Sequence, residues 1–238
     1  MKITDAQTED LLALTRQDQK LAQLRSRLQV LNTGVGLKSF QETSSAANAE
    51  LLQIQNQFEA ISGELKKTEA DLATVVQRIE RDRERLNQSS SPKDIQGIEA
   101  ELVTLNKRKA DLEDVELAQL EEQEDTEQQL HASSKIAAEA SKALAEATAH
   151  LEAEIAAVRA EVDELSLERG KVQARLGAEL TDLYERKAAR GIPVGRLSGG
   201  ECGACRMQIG AVDLDNLLKS AADDVVFCPE CQAILVRS

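Results

Sequence analysis

The strongest constraint on the fold is an apolar stripe of strict three- and four-residue spacing between Leu51 and Leu86. Nine of its eleven positions are apolar, and the exceptions are Thr68 and Asp82. Apolar residues at this spacing lie on one side of an α-helix, and five heptads of them need a second helix as cover. The stripe therefore predicts a long coiled-coil helix with a partner elsewhere in the chain.

The partner helix is predicted to follow directly after a short polar turn at residues 88–93. Ser91 is a suitable N-cap, and Pro92 occupies the first helical position, where its missing N–H costs nothing. Apolar residues then recur at helical spacing without another proline until Pro193. Because a short turn between two long amphipathic helices gives an antiparallel hairpin, one return helix is predicted over about residues 93–189.

The N-terminal segment predicts a further helix, which Thr4 or Asp5 can cap. An asparagine and two glycines interrupt it near residues 32–41, which predicts a helix stop or a sharp kink. The next helix is predicted to restart at the serine pair 44–45. Residues 1–190 are therefore assigned to one coiled-coil helical hairpin.

The composition agrees with long helices packed along a narrow seam. Aromatic residues make up 2% of the chain and charged residues 30%, and such seams need few bulky core residues. The net charge of −13 opposes binding to nucleic-acid backbones and anionic membranes. Since the N-terminus has no apolar signal region and no run approaches ~18 apolar residues, a cytoplasmic protein without membrane contact is predicted.

All four cysteines lie in the last part of the chain, as the pairs Cys202/Cys205 and Cys228/Cys231. Two Cys-x-x-Cys knuckles predict a small β zinc ribbon over residues 191–238 that binds one structural Zn²⁺ ion. Strand-like residues flank the second pair, and a short helix is predicted between the pairs. About 40 residues bury too little to fold alone, so the metal would supply much of the folding energy. A pair of redox-active or unligated dithiols is the alternative.

Residues 197–201 (LSGGE) match the signature segment of ABC-type ATPases. The chain has no GxxxxGK[ST] phosphate loop, so these residues are interpreted as a glycine-rich hinge before the first knuckle. His131 and His150 are interpreted as surface residues of the long helix. Because no catalytic constellation is present, the sequence predicts neither enzymatic activity nor a small-molecule substrate.

Charge is unevenly distributed along the predicted hairpin. Residues 111–130 hold nine acids and no base, whereas residues 78–109, around the turn, hold eight bases against six acids. Ordinary solvated helix faces are one explanation, and a basic docking surface for an acidic partner is the other. The candidate partner-binding residues are Arg83, Arg85, Lys93, Lys107, Arg108 and Lys109.

Three segments resemble a bacterial family that joins a long coiled-coil hairpin to a C4-type zinc ribbon. Residues 91–101 (SPKDIQGIEAE) are similar to its turn motif, residues 183–186 (LYER) to the end of its second helix, and residues 228–236 (CPECQAILV) to its last knuckle. The best-known members are FlgZ-like flagellar regulators, and actinobacterial relatives have no assigned function. This chain has Gln232 and Ala233 where the family usually has Gly-Arg, which leaves the ligands intact.

The resemblance implies a non-enzymatic adaptor. In the flagellar members the implied partners are an alternative sigma factor and a flagellin message, and no residue of this chain carries those partners over. The leading hypothesis is a bacterial scaffold that binds unidentified protein partners through the zinc ribbon or the hairpin tip. The alternative is a nucleic-acid-binding regulator of DNA, RNA or the transcription machinery, which the acidic charge does not support. An ATPase fragment or thiol oxidoreductase is the third hypothesis.

Overall fold

The protein is described by a computed structural model that covers residues 1–237. Within these residues the helices are α1 (Asp5–Asn32), α2 (Lys38–Gln88), α3 (Pro92–Leu176), α4 (Ala178–Ala188) and α5 (Ala211–Lys219). The strands are β1 (Val194–Ser198), β2 (Glu201–Cys202), β3 (Val226–Phe227) and β4 (Ile234–Val236). The predicted fold class is confirmed: a mostly α chain with a long antiparallel hairpin and a small C-terminal β zinc ribbon. Ser238, the last residue of the predicted ribbon, lies outside the described residues.

The chain divides into two compact units. One contains residues 37–149, and the other joins residues 1–36 to the chain from His150 onward. No helix within the described part of the chain is both long and apolar enough to cross a membrane.

The unit of residues 37–149 is an antiparallel helix pair formed by α2 and the first part of α3. The Gln123 amide donates a hydrogen bond to the Ser62 hydroxyl at 2.8 Å, and Arg78 forms an ion pair with Glu101. A pair of helices covers only one side of each, so most residues of the apolar stripe are half-buried. The buried apolar residues of this unit are Ala47, Leu65, Ile79, Ile98, Leu112 and Ala137.

Helix α2 begins six residues before the predicted restart at the serine pair, so that prediction was wrong. A short 3₁₀ turn at Val35–Leu37 separates α1 from α2, after Gly34 at a φ of +66°. Ser44 is buried within α2, and its hydroxyl lies 3.4 Å from that of Ser141 on α3. The small polar side chain therefore contacts the facing helix and does not cap a helix end.

The return helix is broken, contrary to the prediction of one helix to about residue 189. Gly177 separates α3 from α4 and has a φ of +80°, in the left-handed region that favours glycine. After this break, Leu180 and Tyr184 of α4 are buried together with Leu176 at the end of α3. The break therefore allows α4 to pack into a core that the helical spacing alone does not predict.

That core lies in the unit containing both ends of the chain and is called the base core below. It brings α1, α3 and α4 together with β1 and β4. Its buried members are Leu11, Leu14, Val172, Leu176, Leu180, Tyr184, Val194, Ile234 and Val236. Backbone bonds add to this junction, since the Ile3 N–H donates to the Asp223 carbonyl at 2.8 Å and the Val225 N–H to the Met1 carbonyl at 3.1 Å. Strands β1 and β4 of the ribbon thus contribute to the same core as the helices.

The four strands form one sheet in the order β2-β1-β4-β3. Strands β1 and β4 are parallel, and the other two pairs are antiparallel. The strands beside the second cysteine pair and the helix between the pairs agree with the predictions, whereas no strand was predicted at the position of β1. Gly199 and Gly200, at φ of +58° and +81°, form the two-residue turn between β1 and β2. The LSGGE segment is therefore a tight β-hairpin, and its interpretation as a hinge was wrong.

Candidate metal centre

The four cysteine sulfurs converge on one point in the ribbon. All four Sγ atoms lie within 4.8 Å of one another. The Cys202–Cys231 and Cys205–Cys228 sulfur distances are both 3.9 Å. Four thiolates about 2.3 Å from a tetrahedral zinc are separated by about 3.8 Å, so the spacing fits this metal. The four cysteines therefore form a C4 site for one structural zinc ion.

Two backbone turns of the same form hold the sulfurs. The Arg206 N–H donates to the Cys202 carbonyl at 2.7 Å, and the Gln232 N–H donates to the Cys228 carbonyl at 2.9 Å. In each case the residue after the second cysteine of a pair bonds back to the first cysteine. The two knuckles are therefore equivalent in backbone hydrogen bonding, although only one of them contains a proline.

The residue that closes each knuckle has a left-handed backbone. The φ of Arg206 is +60° and that of Gln232 is +63°. This conformation costs a residue with a Cβ about 1–2 kcal/mol, and glycine avoids the cost. Gln232 therefore holds the turn in a conformation that glycine would adopt at lower cost. The Gln232 side chain compensates in part by donating to the Cys228 carbonyl at 3.3 Å.

Two glycines allow β1 to lie directly against the first knuckle. A Cβ on Gly195 would lie 2.4 Å from the Ala204 nitrogen, and a Cβ on Gly203 would lie 2.8 Å from the Arg196 carbonyl oxygen. Real Cβ contacts do not occur at such distances, so neither position accepts a side chain without movement of the backbone. The glycine in the first Cys-x-x-Cys motif is thus needed for packing of the backbone.

The thiols differ in their acidity because their surroundings differ. Burial raises the pKa of the Cys202 thiol, and burial, reinforced by the Cys205 thiol, raises the pKa of Cys231 to about 12. Burial also acts to raise the pKa of Cys228, but hydrogen bonds from the Cys231 and Glu230 N–H groups outweigh it and lower that pKa. Zinc must displace the protons of these thiols when it binds.

Two of the cysteines, Cys202 and Cys228, also belong to a second core, called the outer core below. It lies between the knuckles, the sheet and α5, which packs Leu214 and Leu217 against it. Its buried members are Leu197, Cys202, Ile209, Val226, Cys228 and Leu235. Because two of its members are metal ligands, this core depends directly on the zinc site, whereas the base core contains no ligand.

Arg237 fixes the end of α5 and the loop after it, a role that sequence reasoning missed. Its guanidinium donates to five backbone carbonyl groups. The acceptors are the carbonyls of Leu217, Ser220, Ala221, Ala222 and Asp224. A single arginine near the end of a chain gives no sequence signal for such contacts, because its acceptors are backbone atoms.

A polar cluster beside the base core was also missed. Arg169 forms ion pairs with Asp18 and Glu185, and the fully buried Tyr184 donates its hydroxyl to Asp18 at 2.8 Å. Burial raises the pKa of Tyr184 above its ordinary value, and the hydrogen bonds to Asp18 raise that of Arg169. The cluster therefore stays charged at Arg169 and neutral at Tyr184, and it ties α1 to α3 and α4.

The structure places the candidate partner-binding residues on both sides of the hairpin turn. Arg83 and Arg85 lie near the end of α2, and the four lysine and arginine residues at 93 and 107–109 lie on α3. Arg85 pairs with Asp82, and Lys109 pairs with Glu113. The other four are exposed and form no ion pair within residues 1–237. His131 and His150 are exposed, as predicted.

The fold and the site define a class of protein: a coiled-coil helical hairpin joined to a C4 zinc ribbon. Residues 14–192 match the CT398-like coiled coil hairpin domain, and residues 202–235 match a C4-type zinc ribbon domain. The chain belongs to the CT398-like coiled-coil hairpin family. It carries the ribbon that the sequence resemblance implied.

Relatives cover the whole chain. An uncharacterized protein of Mycobacterium tuberculosis is 35% identical over 243 residues, which span 100% of this chain and 98% of the relative. A solved structure from Mycobacterium smegmatis is similar with a TM-score of 0.82 at 30% identity, and each chain is covered completely. The structure of CT398 from Chlamydia trachomatis is similar with a TM-score of 0.61 at 17% identity, over 98% of both chains. The last likeness concerns the fold alone.

Proposed function

We propose that this protein is a non-enzymatic adaptor of the cytoplasm that binds an acidic protein partner at its hairpin turn. The observation that carries this proposal is a group of exposed bases that form no ion pair within residues 1–237, in a chain of net charge −13. These bases are Arg83, Lys93, Lys107 and Arg108. Bases without an ion pair among the described residues are available to bind carboxylates of another protein, and on an acidic protein they select where that partner docks.

The zinc site supports a structural role within this proposal. Four thiolates complete the tetrahedral coordination of zinc, which leaves no position for a substrate or an activated water. Two of the ligands, Cys202 and Cys228, are also buried core residues. A ribbon whose metal holds its core together stabilises a binding protein without taking part in chemistry. Cysteines that bind zinc as thiolates and form no disulfide also suit a reducing compartment such as the cytoplasm.

Nucleic-acid binding is the second candidate, and the same bases are the observation in its favour. The ribbon offers little support, because residues 196–238 hold four bases against six acids. Phosphate contacts produce a steep loss of affinity with salt, which separates this candidate from a protein partner.

The test is a pull-down from native cytoplasm with the full-length, zinc-loaded chain. The test variant carries Arg83→Glu, Lys93→Glu, Lys107→Glu and Arg108→Glu. The matched control makes the same charge change at exposed bases elsewhere, through Lys20→Glu, Arg25→Glu, Lys135→Glu and Arg159→Glu. Point substitutions are preferred to removal of the ribbon, because removal would take Val194, Ile234 and Val236 out of the base core.

We expect the control to keep the partner and the test variant to lose it. Equal recovery by both variants would rule out the turn as the docking surface. Recovery that disappears after nuclease treatment, with affinity falling steeply between low and moderate salt, would favour the nucleic-acid alternative.

A further inference from the structure

The outward face of α3 carries apolar side chains that no part of residues 1–237 covers. Val103 is 72% exposed and Leu117 is 61% exposed, and Ala110, midway between them, is also exposed. Positions seven apart lie on the same side of a helix. Ile98 and Leu112, which lie on the side facing α2, are buried. Val103, Ala110 and Leu117 therefore form a second apolar line on the solvent side of α3.

Charge changes sign along α3 at Ala110. Residues 93–109 hold four bases against three acids, whereas residues 111–127 hold nine acids and no base. Lys107 and Asp114 lie between the members of the apolar line, both are exposed, and neither forms an ion pair within the described chain. The two halves of this segment of α3 therefore carry net charges of opposite sign, so opposite halves of two copies are complementary in charge.

We propose that this face binds a second copy of the chain, with the two α3 helices antiparallel and Ala110 at the two-fold axis. In this arrangement residues whose numbers add up to about 220 lie opposite one another. Val103 of each copy meets Leu117 of the other, and Ala110 meets its equivalent, where a small side chain allows close approach. Lys107 of each copy meets Asp114 of the other, so one surface supplies both sides of a symmetric interface.

The charges also determine the direction of pairing. A parallel arrangement in register would place two stretches of nine acids side by side, which is strongly repulsive. The antiparallel arrangement places each acidic stretch along the mildly basic half of the other copy and separates the two acidic stretches on opposite sides of the axis. Two apolar contacts and two ion pairs make a small interface, so the association is weak and depends on concentration and salt.

Disulfide trapping tests the geometry of the proposal. The full-length, zinc-loaded protein carries Ala110→Cys, and diamide oxidises paired thiols while the native cysteines remain zinc ligands. We expect rapid formation of a covalent dimer. The control is Ala100→Cys on the same helix, also exposed, whose equivalents would lie about 30 Å apart along the axis. A failure of Ala110→Cys to link overturns the proposal, and so does equal linking of both variants, which indicates parallel or random encounters.

Sedimentation velocity tests the charge complementarity independently. A concentration series of the unmodified chain up to about 1 mM covers the range of weak association. Lys107→Glu places glutamate opposite Asp114 and should weaken dimerisation about tenfold or more, since both symmetric pairs are reversed. Asp114→Lys places lysine opposite Lys107 and should weaken dimerisation to a similar extent.

The double variant Lys107→Glu with Asp114→Lys restores opposite charges across the axis, so it should dimerise as the unmodified chain does. A double variant no better than either single variant overturns the pairing of these two residues. Far-UV circular dichroism checks that the exposed substitutions leave the helices intact. The measurement needs no partner protein, so its result is obtained separately from the pull-down, although Lys107 takes part in both proposals.

Discussion

Replacing Gly195 with alanine tests whether the close contact between β1 and the first knuckle controls zinc binding. Gly195 pairs with Leu235 in the parallel β1–β4 ladder. The added Cβ would lie 2.4 Å from the Ala204 nitrogen and 2.9 Å from the Ala204 Cβ. Carbon atoms in contact are about 3.5–4.0 Å apart, so the knuckle and the strand would have to separate by about 1 Å.

The expected magnitude follows from that displacement. Overpacking of this kind costs about 1–3 kcal/mol. The displaced knuckle carries two of the four ligands, and zinc sites tolerate deviations of only about 0.2 Å in their bond lengths. Because metal binding and folding of the ribbon are coupled, the cost should appear as zinc affinity weaker by about 5- to 150-fold.

The assay is competition for zinc with a chromophoric chelator, together with thermal unfolding. Gly63→Ala is the matched control, because a Cβ at this helical position of α2 meets nothing within 4 Å. That change should leave zinc affinity unaltered and stabilise the helix by about 1 kcal/mol. The same substitution type therefore has opposite expected effects at two sites.

A further substitution identifies the atom responsible. Adding Ala204→Gly to Gly195→Ala removes the contact with the Ala204 Cβ but leaves the nearest contact, which is with a backbone nitrogen. We therefore expect no recovery of zinc affinity in the double variant. An unchanged affinity for Gly195→Ala itself would refute the reasoning, because it would show that the strand and knuckle separate without cost.

Three other predictions concern the two cores and the knuckle. Removal of zinc by a chelator should expose the amides of the outer core to hydrogen exchange before those of the base core, which contains no ligand. Simultaneous loss of protection in both cores would show that they do not unfold separately. Tyr184→Phe removes the hydroxyl bonded to Asp18 and should lower the free energy of unfolding in urea by about 1–3 kcal/mol. An unchanged urea midpoint would mean that Arg169 alone satisfies the Asp18 carboxylate. Arg206→Gly relieves a φ of +60° and should raise the melting temperature of the ribbon by an amount that corresponds to about 1 kcal/mol of stability. A lower melting temperature would show that the arginine side chain stabilises the ribbon by more than its backbone conformation costs.

Much of the hairpin could be predicted from the sequence because its signals are local. Helical spacing of apolar residues predicted the long helices, and the serine and proline before α3 predicted the turn. Helix boundaries were less predictable, since Ser44 suits both a helix cap and a helix interface. Its buried contact with Ser141, almost a hundred residues later, selected the second role.

The metal ligands were also predictable, because a structural zinc site takes four Cys or His ligands at restricted spacing and the four cysteines of the chain form two Cys-x-x-Cys pairs. The supporting residues were not. Arg237 bonds to backbone carbonyl groups, and Gly195 matters because the first knuckle lies against it. Such contacts arise once the ribbon has closed, so neither residue type nor local spacing indicates them.

The sequence by itself therefore determined the two long helices of the hairpin, the turn between them and the four zinc ligands. Each follows from residues near one another along the chain or from the fixed requirements of the metal. Only the tertiary structure decided the break at Gly177, the parallel pairing of β1 with β4 and the shared base core. These features join Leu11 to Tyr184 and Val194 to Ile234. Contacts over such separations depend on how completed elements pack, which helical periodicity does not encode.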